Sequence, residues 1–263
     1  MKETIVVIVM LAASFFSSAF AEEFEILTVD EPPSSYIGKN GEPEGFAVDV
    51  VREIQRRINN SDPILVTPEA RALKIASQKP NVVLFSFSRT PEREDKFHWI
   101  MLLLRKSWVL YAKSGSGIKL NNLEDARNVS SIGVLRGDIR EDHLKQLGFN
   151  NLSVVKNHEH NVRMLQRGRV DLLYYEPIGM DYACKKLGIS ISEFEAVLET
   201  QSSEVYIMMS KNGTDAEAYK KWRDAANQIK KDGTFDRIAK KWEKEISNIT
   251  GLVSEVKDGA LNF

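Results

Sequence analysis

Short apolar runs alternate with longer amphipathic segments in the first half of the chain. The apolar runs stand without helical spacing and therefore predict buried strands, at residues 25–29, 63–67 and 82–85. Apolar residues recur every four positions between the first two runs, at Phe46, Val50, Ile54 and Ile58. This spacing predicts an amphipathic helix, and residues 69–78 predict a second one. Strands that alternate with helices indicate βαβ units and a mainly parallel sheet.

A second α/β series follows a strand-like run at residues 107–112. Its predicted strands are residues 131–135, 152–155 and 170–174, and its predicted helices are residues 141–147 and 160–166. Residues 205–209 predict a return strand, and two helices separated by Gly233 close the chain. Two successive α/β series with a late return predict two lobes, the first of them discontinuous.

The N-terminus has the pattern of a secretory signal peptide. Lys2 precedes an apolar run, and Ala19-Phe-Ala21 forms a small-residue cleavage site. A membrane anchor is the weaker alternative, because about twenty apolar residues are needed to span a bilayer and this run is shorter. The single cysteine, Cys184, excludes an internal disulfide and is expected to be a buried hydrophobic residue. The mature chain is therefore expected to be exported and soluble.

Composition excludes several kinds of partner and cofactor. The formal net charge is −1 and no basic block occurs, so nucleic acid is not an expected partner. The close pair His158 and His160 has an i,i+2 spacing, which on a helix directs the two rings apart, so no metal site is expected. No glycine-rich phosphate loop occurs, and no cofactor is expected.

The segment after the third predicted strand carries the candidate chemistry. Small hydroxyl residues, Ser86, Ser88 and Thr90, are followed by Pro91 and Arg93. A guanidinium can hold a carboxylate through two parallel hydrogen bonds, which lysine cannot do. The segment therefore predicts a site for a small carboxylic acid. A surface turn with solvated arginines stays open as the alternative.

The motif Ser86-Phe-Ser88-x-Thr90-Pro-x-Arg93 resembles the strand-turn segment of bacterial family 3 extracellular solute-binding proteins, which serve amino-acid transporters. Further pieces match in the same order: Gly45-Phe-Ala-Val-Asp49, Gly133-Val-Leu-Arg-Gly137, Arg167-Gly-Arg-Val-Asp171 and Lys231-Asp-Gly-Thr-Phe235 with Lys240-Lys-Trp242. The resemblance covers residues 25–245. It implies two Rossmann-like lobes joined by two crossing segments, the type II periplasmic binding protein fold.

The resemblance also implies a domain layout. The signal peptide is residues 1–21, the first lobe is residues 22–106 and 206–250, and the second lobe is residues 107–205. The crossing segments fall near Lys106 and Val205. Residues 251–263 have weak periodicity and are expected to form a loosely held C-terminal tail.

Ligand contacts carried over from the family fall on both lobes. The resemblance implies that Arg93 clamps an α-carboxylate, with Ser86 and Ser88 assisting; pairing of Arg93 with Glu92, Glu94 or Asp95 is the alternative. Glu176 matches the acid that receives the ligand's ammonium, although a glutamate at a helix start would also be favoured there. Asp138 replaces a hydroxyl residue of the family, and capping of the next helix is its favoured role.

Other candidates extend this ligand site. Arg71 opens the second helix at a position that faces the cleft in related proteins, and Tyr36, Tyr174 and Tyr175 could supply apolar walls. Further arginines, Arg89, Arg136 and Arg140, stand in candidate loops. If several of them line the cleft, the ligand has more than one negative group; solvated arginines are the alternative.

The predicted function is that of a periplasmic binding protein, with no catalytic residue. It would capture a small carboxylated solute, an amino acid in the first place, by hinged closure of the lobes. An ABC transporter permease is then the implied partner, and the protein is expected to be a monomer. Two rivals stay open: a periplasmic dehydratase of the cyclohexadienyl type, with Glu176 as general acid, and a stand-alone module that senses a ligand.

Overall fold

The computed structural model describes residues 23–262. The signal peptide predicted at residues 1–21 lies outside the described residues. Within the part of the chain that is described, no helix combines the length and the apolar character that a membrane span requires.

The first half of the chain alternates strands with helices, as its apolar pattern predicts. Its elements are β1 (Glu25–Thr28), β2 (Tyr36–Ile37), β3 (Pro43–Glu44), α1 (Phe46–Arg57), β4 (Ile64–Val66), α2 (Glu69–Gln78), β5 (Val82–Ser88), the single-turn helix α3 (Pro91–Glu94) and β6 (Phe97–Lys113). Strand β6 is one element of 17 residues, where the sequence pattern indicates two separate apolar runs.

The second half repeats the alternation and ends with two helices and a hairpin. Its elements are β7 (Ile132–Leu135), α4 (Ile139–Gln146), β8 (Leu152–Val155), α5 (His158–Gln166), β9 (Leu172–Tyr175), α6 (Pro177–Leu187), β10 (Phe194–Ser210), α7 (Ala216–Lys231), α8 (Thr234–Thr250), β11 (Glu255–Lys257) and β12 (Ala260–Asn262). Gly233 separates α7 from α8 at φ 74°, a left-handed conformation that glycine adopts without strain.

One sheet runs through the molecule in the strand order β4-β1-β5-β10-β6-β9-β7-β8. On one side β1 pairs in parallel with β4 and β5, and on the other β7 pairs in parallel with β8 and β9. Between them β6 and β10 are antiparallel along their whole length. Each end of the sheet belongs to an α/β lobe, and the long strand pair joins the two. The predicted two-lobed fold is confirmed.

We propose the division of the lobes that the sequence suggests, residues 22–106 with 206–250 and residues 107–205. Both boundaries fall inside the long strand pair, where Lys106 pairs with Ser203 and Val205 with Leu104. A cut at this level separates the β1–β5 half, called the first lobe below, from the β7–β9 half, called the second lobe.

Each lobe encloses its own hydrophobic core. In the first lobe, Ile54, Trp222 and Phe235 from α1, α7 and α8 pack against the buried faces of the strands. In the second lobe, Leu173 of β9 packs with Cys184 of α6. Cys184 is fully buried, and burial raises the pKa of its thiol to about 12, so it behaves as the hydrophobic residue that the sequence predicts.

The C-terminal segment differs from its prediction as a loose tail. Strands β11 and β12 form a hairpin, and β12 pairs in parallel with β6 at Leu261–Leu104. Ala260 and Leu261 are fully buried. Its order comes from pairing with β6, a contact with a distant strand that the weak periodicity of the segment does not indicate.

Candidate functional site

Two cavities lie between the lobes. The hinge-side cavity has a volume of about 550 Å³ and is lined by the turn after β5, by α4 and by residues 201–204 of β10. The strand-end cavity has a volume of about 220 Å³ and is lined by the loops that follow β1, β4, β7 and β8. Ligands of open α/β sheets bind outside the carboxyl ends of the strands. The crevice between the lobes is therefore the candidate site.

Arg93 faces this crevice from the first lobe. It lies on α3, its side chain is 11% exposed, and it lines the hinge-side cavity. Its Nη1 donates to the Ser88 carbonyl oxygen at 3.0 Å, and its Nη2 donates to Oε1 of Glu69 at 2.6 Å. The guanidinium is thus held in a fixed position by the chain's own oxygens.

Arg89, four residues earlier, makes the surface pair that was the alternative for Arg93. It pairs with Glu94, and the two side chains are 38% and 45% exposed. Its guanidinium also lies 5.1 Å from the ring centre of Trp99. The two arginines of this turn therefore have different surroundings, and only Arg93 is buried.

Glu69 is the partner of Arg93 and belongs to the wall of the other cavity. It opens α2, its side chain is 16% exposed, and it lines the strand-end cavity. Burial raises the pKa of Glu69 to about 7 against the opposing charge of Arg93, and the carboxylates of Asp138 and Glu31 add to the rise. The surroundings of Glu69 therefore favour its neutral form more than water does.

Ser86 and Ser88 have separate roles at the end of β5. Ser86 has φ 70° and stands where the pairing of β5 with β10 skips a residue, so it occupies a bulge that turns its side chain. Its hydroxyl lies 3.2 Å from that of Ser34 and accepts from that of Ser35 at 3.0 Å. Ser88 lines the hinge-side cavity. Ser86 therefore orders the loop after β1, while Ser88 faces the crevice.

A group of five buried polar side chains connects the lobes, and we call it the inter-lobe cluster: Glu31, Lys106, Asp138, Arg140 and His158. Glu31 of the first lobe accepts from Lys106 Nζ at 2.5 Å and from Arg140 Nη2 at 3.1 Å, and lies 3.2 Å from His158 Nε2. Arg140 also donates to both oxygens of Asp138, at 2.7 and 2.6 Å.

The two acids of the inter-lobe cluster are held in their ionised form. Burial opposes the charge of Glu31, but Lys106, Arg140 and His158 outweigh it and hold the pKa of that carboxyl well below its ordinary value. Burial likewise opposes the charge of Asp138, and Arg140 overcomes it and lowers the pKa of Asp138. The ring of His158 stacks on Tyr175 at 4.0 Å. These contacts fix the charged groups in one geometry.

Three members of the cluster, Glu31, Asp138 and His158, offer ligand atoms within 4.8 Å of one another, a spacing that a metal ion could use. Every carboxylate oxygen in this group already has a partner: Lys106 and Arg140 on one oxygen of Glu31, His158 on the other, and Arg140 on both oxygens of Asp138. Two permanent cations at this point oppose a third. The chemistry of the group fits a structural ion network.

Asp138 and Glu176 both begin helices. Asp138 accepts from the backbone N–H of Arg140 at 2.8 Å, which caps α4, and it lines the strand-end cavity. Glu176 accepts from the backbone N–H groups of Ile178 at 3.0 Å and Gly179 at 2.7 Å, which caps α6. Glu176 is 1% exposed and lines neither cavity. The structure therefore places Glu176 in the alternative role, as a helix-start glutamate, away from the crevice walls.

Arg71 and Tyr36 line neither of the two cavities between the lobes. Arg71 is exposed on α2 and lines neither cavity. Tyr36 is half-buried in β2, with its ring 5.8 Å from that of Tyr182. Of the further arginines, Arg89 lines the hinge-side cavity and Arg136 the strand-end cavity, which four acids also line: Asp30, Glu31, Glu69 and Asp138.

Sequence reasoning missed the partners of the arginines. Glu69 reads as an ordinary residue of a helix start, and its partner lies 24 positions away. Lys106 did leave a signal in the sequence, because it is a cation within the otherwise apolar strand β6. The structure shows that it is buried, at 7% exposure. His158 was weighed only together with His160, whereas its contact is Glu31, 127 positions away.

The sequence profile of the bacterial extracellular solute-binding proteins, family 3, matches residues 26–245. The chain belongs to this family. It is 23% identical over 218 residues to the amino-acid-binding protein AabA of Dichelobacter nodosus, a match that covers 80% of this chain and 83% of the relative. It is 24% identical over 255 residues to the histidine-binding periplasmic protein of Salmonella typhimurium, covering 89% of this chain and 93% of the relative.

Among solved structures, this family 3 chain is similar to a histidine kinase sensor domain that itself resembles periplasmic binding proteins. The TM-score is 0.73 at 18% identity, and the match covers 83% of this chain and 95% of that domain. At this identity the likeness concerns the fold, which agrees with the two lobes and the long strand pair described above. The chain is a solute-binding protein of the two-lobed type.

Proposed function

We propose that the protein binds an amino acid between its lobes and delivers it to an ABC transporter permease. The observation that carries the proposal is Arg93, a buried guanidinium at the wall of a 550 Å³ cavity that both lobes line. The names of the two sequence relatives, an amino-acid-binding and a histidine-binding protein, support the same class of solute.

Arg93 is suited to a carboxylate because of its charge and its shape. Its planar fork can donate two parallel hydrogen bonds, and a charge-assisted interaction contributes about 1.5–3 kcal/mol. Ser88 stands beside it on the same cavity wall and adds a hydroxyl. Arg93 and Ser88 would therefore bind the α-carboxylate of an amino acid.

Closure of the lobes follows from the position of the site. Bonds between Glu31 and Arg140 join the lobes in this structure, and β6 and β10 cross between the lobes side by side. Bending of these two strands moves one lobe relative to the other without breaking either core. A solute that contacts both lobes stabilises the closed form because those contacts exist only there.

Calorimetric titration with the twenty proteinogenic amino acids tests this function. At least one amino acid is expected to bind, and Arg93→Ala should weaken its binding by about 10- to 150-fold, the loss of one charge-assisted interaction. Arg93→Lys keeps the charge but loses the fork, and it should give an intermediate affinity.

The matched control is Arg57→Ala. Arg57 is 14% exposed, pairs with Glu53 and Asp232, and lines neither inter-lobe cavity. Its replacement should leave the affinity unchanged. Equal affinity of wild type and Arg93→Ala would remove Arg93 from the site, and the absence of any binding amino acid would remove the proposed solute class.

A sensory role is the second candidate, because a histidine kinase sensor domain shares the fold. Binding would be the same, and the partner would be a membrane receptor. Membrane reconstitution distinguishes the two: uptake of a labelled amino acid that depends on this protein and a permease supports transport. The dehydratase alternative has no such support, because Glu176 caps α6 and lines neither cavity.

A further inference from the structure

Arg93 already holds a carboxylate, that of Glu69, at the place where the proposed function puts the carboxylate of the solute. Both side chains are largely shielded from solvent, at 11% and 16% exposure. A solute cannot take both bonds of the Arg93 fork while Glu69 keeps one of them. Entry of the solute therefore requires that this internal pair separate.

We infer that Glu69 competes with the solute for Arg93. When a carboxylate binds to Arg93, Glu69 releases Arg93 and takes up a proton from solvent. The inference rests on the proposed function, since it needs Arg93 to receive the solute. The exchange balances: Arg93 trades one carboxylate for another, and the proton that Glu69 gains removes the charge that would otherwise be left unpaired.

The surroundings of Glu69 favour this exchange. The charged and titratable groups that line the strand-end cavity beside Glu69 are Asp30, Glu31, Arg136, Asp138, Lys156 and His158, and α3 adds Glu92, Arg93 and Glu94. Of these, Asp138 and Glu31 are acids that oppose the ionised form of Glu69, and Arg93 is the cation paired with it. Without Arg93, burial and the two acids all act in one direction, so the neutral carboxylic acid is the stable form.

Position also favours the exchange. Glu69 lines one inter-lobe cavity and Arg93 lines the other, so their bond lies between the two. When Glu69 swings away from Arg93, its side chain moves toward the strand-end cavity, which has room for it at about 220 Å³. The hinge-side cavity then presents Arg93 without a competitor.

The sign of the pH effect follows from the linkage of protons to binding. In the free protein Glu69 has a pKa of about 7, and release from Arg93 raises it further. Below pH 7 the acid is already protonated, so binding takes up no proton. Above pH 7 binding must take one up, and the affinity should fall by up to tenfold for each pH unit.

Calorimetry at pH 6 and pH 8 with L-arginine and L-glutamine tests the inference, because neither side chain titrates between these values. Wild type should bind about tenfold more weakly at pH 8 than at pH 6 and take up close to one proton at pH 8, measured in buffers of different ionisation enthalpy. Glu69→Gln imitates the protonated acid, so it should equal wild type at pH 6, exceed it about tenfold at pH 8 and take up no proton.

The matched control is Glu53→Gln, since Glu53 is 17% exposed and also pairs with arginine, but far from the crevice. It should keep the pH dependence of wild type. Identical pH dependence of wild type and Glu69→Gln overturns the inference while leaving amino-acid binding in place. A carbon-13 NMR titration of ligand-free protein decides independently: a Glu69 carboxyl that titrates near its ordinary value overturns the inference whichever amino acid binds.

Discussion

At the scale of single residues, Glu31 is a buried carboxylate that joins the lobes through Arg140 and His158. It is 6% exposed and has three partners with positive or potentially positive charge, Lys106, Arg140 and His158. Breaking a buried ion pair by removing one partner costs about 3–5 kcal/mol, because the other charge is left without compensation. Asp138 compensates Arg140 in part, but Lys106 has no second acid among its ion pairs in the described residues.

We therefore expect Glu31→Gln to lower the free energy of unfolding by about 3–5 kcal/mol at pH 7, measured by urea denaturation. Asp224→Asn is the control, because the pairs of Asp224 with Lys220 and Arg223 are exposed and such pairs contribute about 0–1 kcal/mol. A loss no larger than that of the control would contradict the role given to Glu31.

The same variant makes a pH prediction. The folded protein holds the pKa of Glu31 below its ordinary value of 4.5. Its contribution to stability is therefore complete above that value, shrinks as the pH falls below it, and is lost as the pH falls through the lower pKa of the folded state. The difference between wild type and Glu31→Gln should be constant from pH 8 to pH 6 and should shrink on acidification below about pH 4.5. A difference that persists unchanged at pH 3 would count against an ionised Glu31.

At the scale of elements, the sequence predicts what is buried on a regular period and misses what is not. Helix α1 and strand β5 follow from their apolar spacing, and both are found. The first half of β10 was missed, because residues such as Glu195, Gln201 and Ser202 are exposed in the crossing segment. This half of β10 pairs only with β6, and most of its residues are exposed or half-buried, so it carries no apolar run that predicts a strand.

The C-terminal hairpin shows the same limit, and it gives a prediction. Leu261 is fully buried against β6, so Leu261→Ala should lower the free energy of unfolding by about 2–5 kcal/mol. Val253 is 86% exposed, and Val253→Ala should change it by less than about 0.5 kcal/mol. Urea denaturation of both variants compares them, and similar values would mean that the hairpin does not hold to the sheet in solution.

The candidate site could be predicted in part, for a physical reason. Ser88 and Arg93 belong to one short segment whose chemistry is visible in the sequence, and both face the crevice. Glu69 and Lys106 became part of the site through contacts between distant segments, which depend on how the lobes meet. For Glu176 the sequence leaves two roles open, a contact with the ligand and a helix start. The structure shows that its oxygens accept two backbone hydrogen bonds at the start of α6.

At the scale of the whole molecule, the two lobes share a crevice in which the buried arginines are paired with acids of the protein. Arg93 has Glu69, and Arg140 has Asp138 and Glu31. A solute with a carboxylate must therefore compete with acids of the protein itself. Selection of the solute then depends on how well its carboxylate replaces that of Glu69 on Arg93, and not only on how well its shape fits the crevice.

A crystal structure of the protein grown with the tightest-binding amino acid of the calorimetric panel tests the central claim most directly. The account predicts an amino acid between the lobes, with its carboxylate on the Arg93 guanidinium and Glu69 turned into the strand-end cavity. An amino acid bound elsewhere, or one held in the crevice while Arg93 keeps its bond to Glu69, would contradict it.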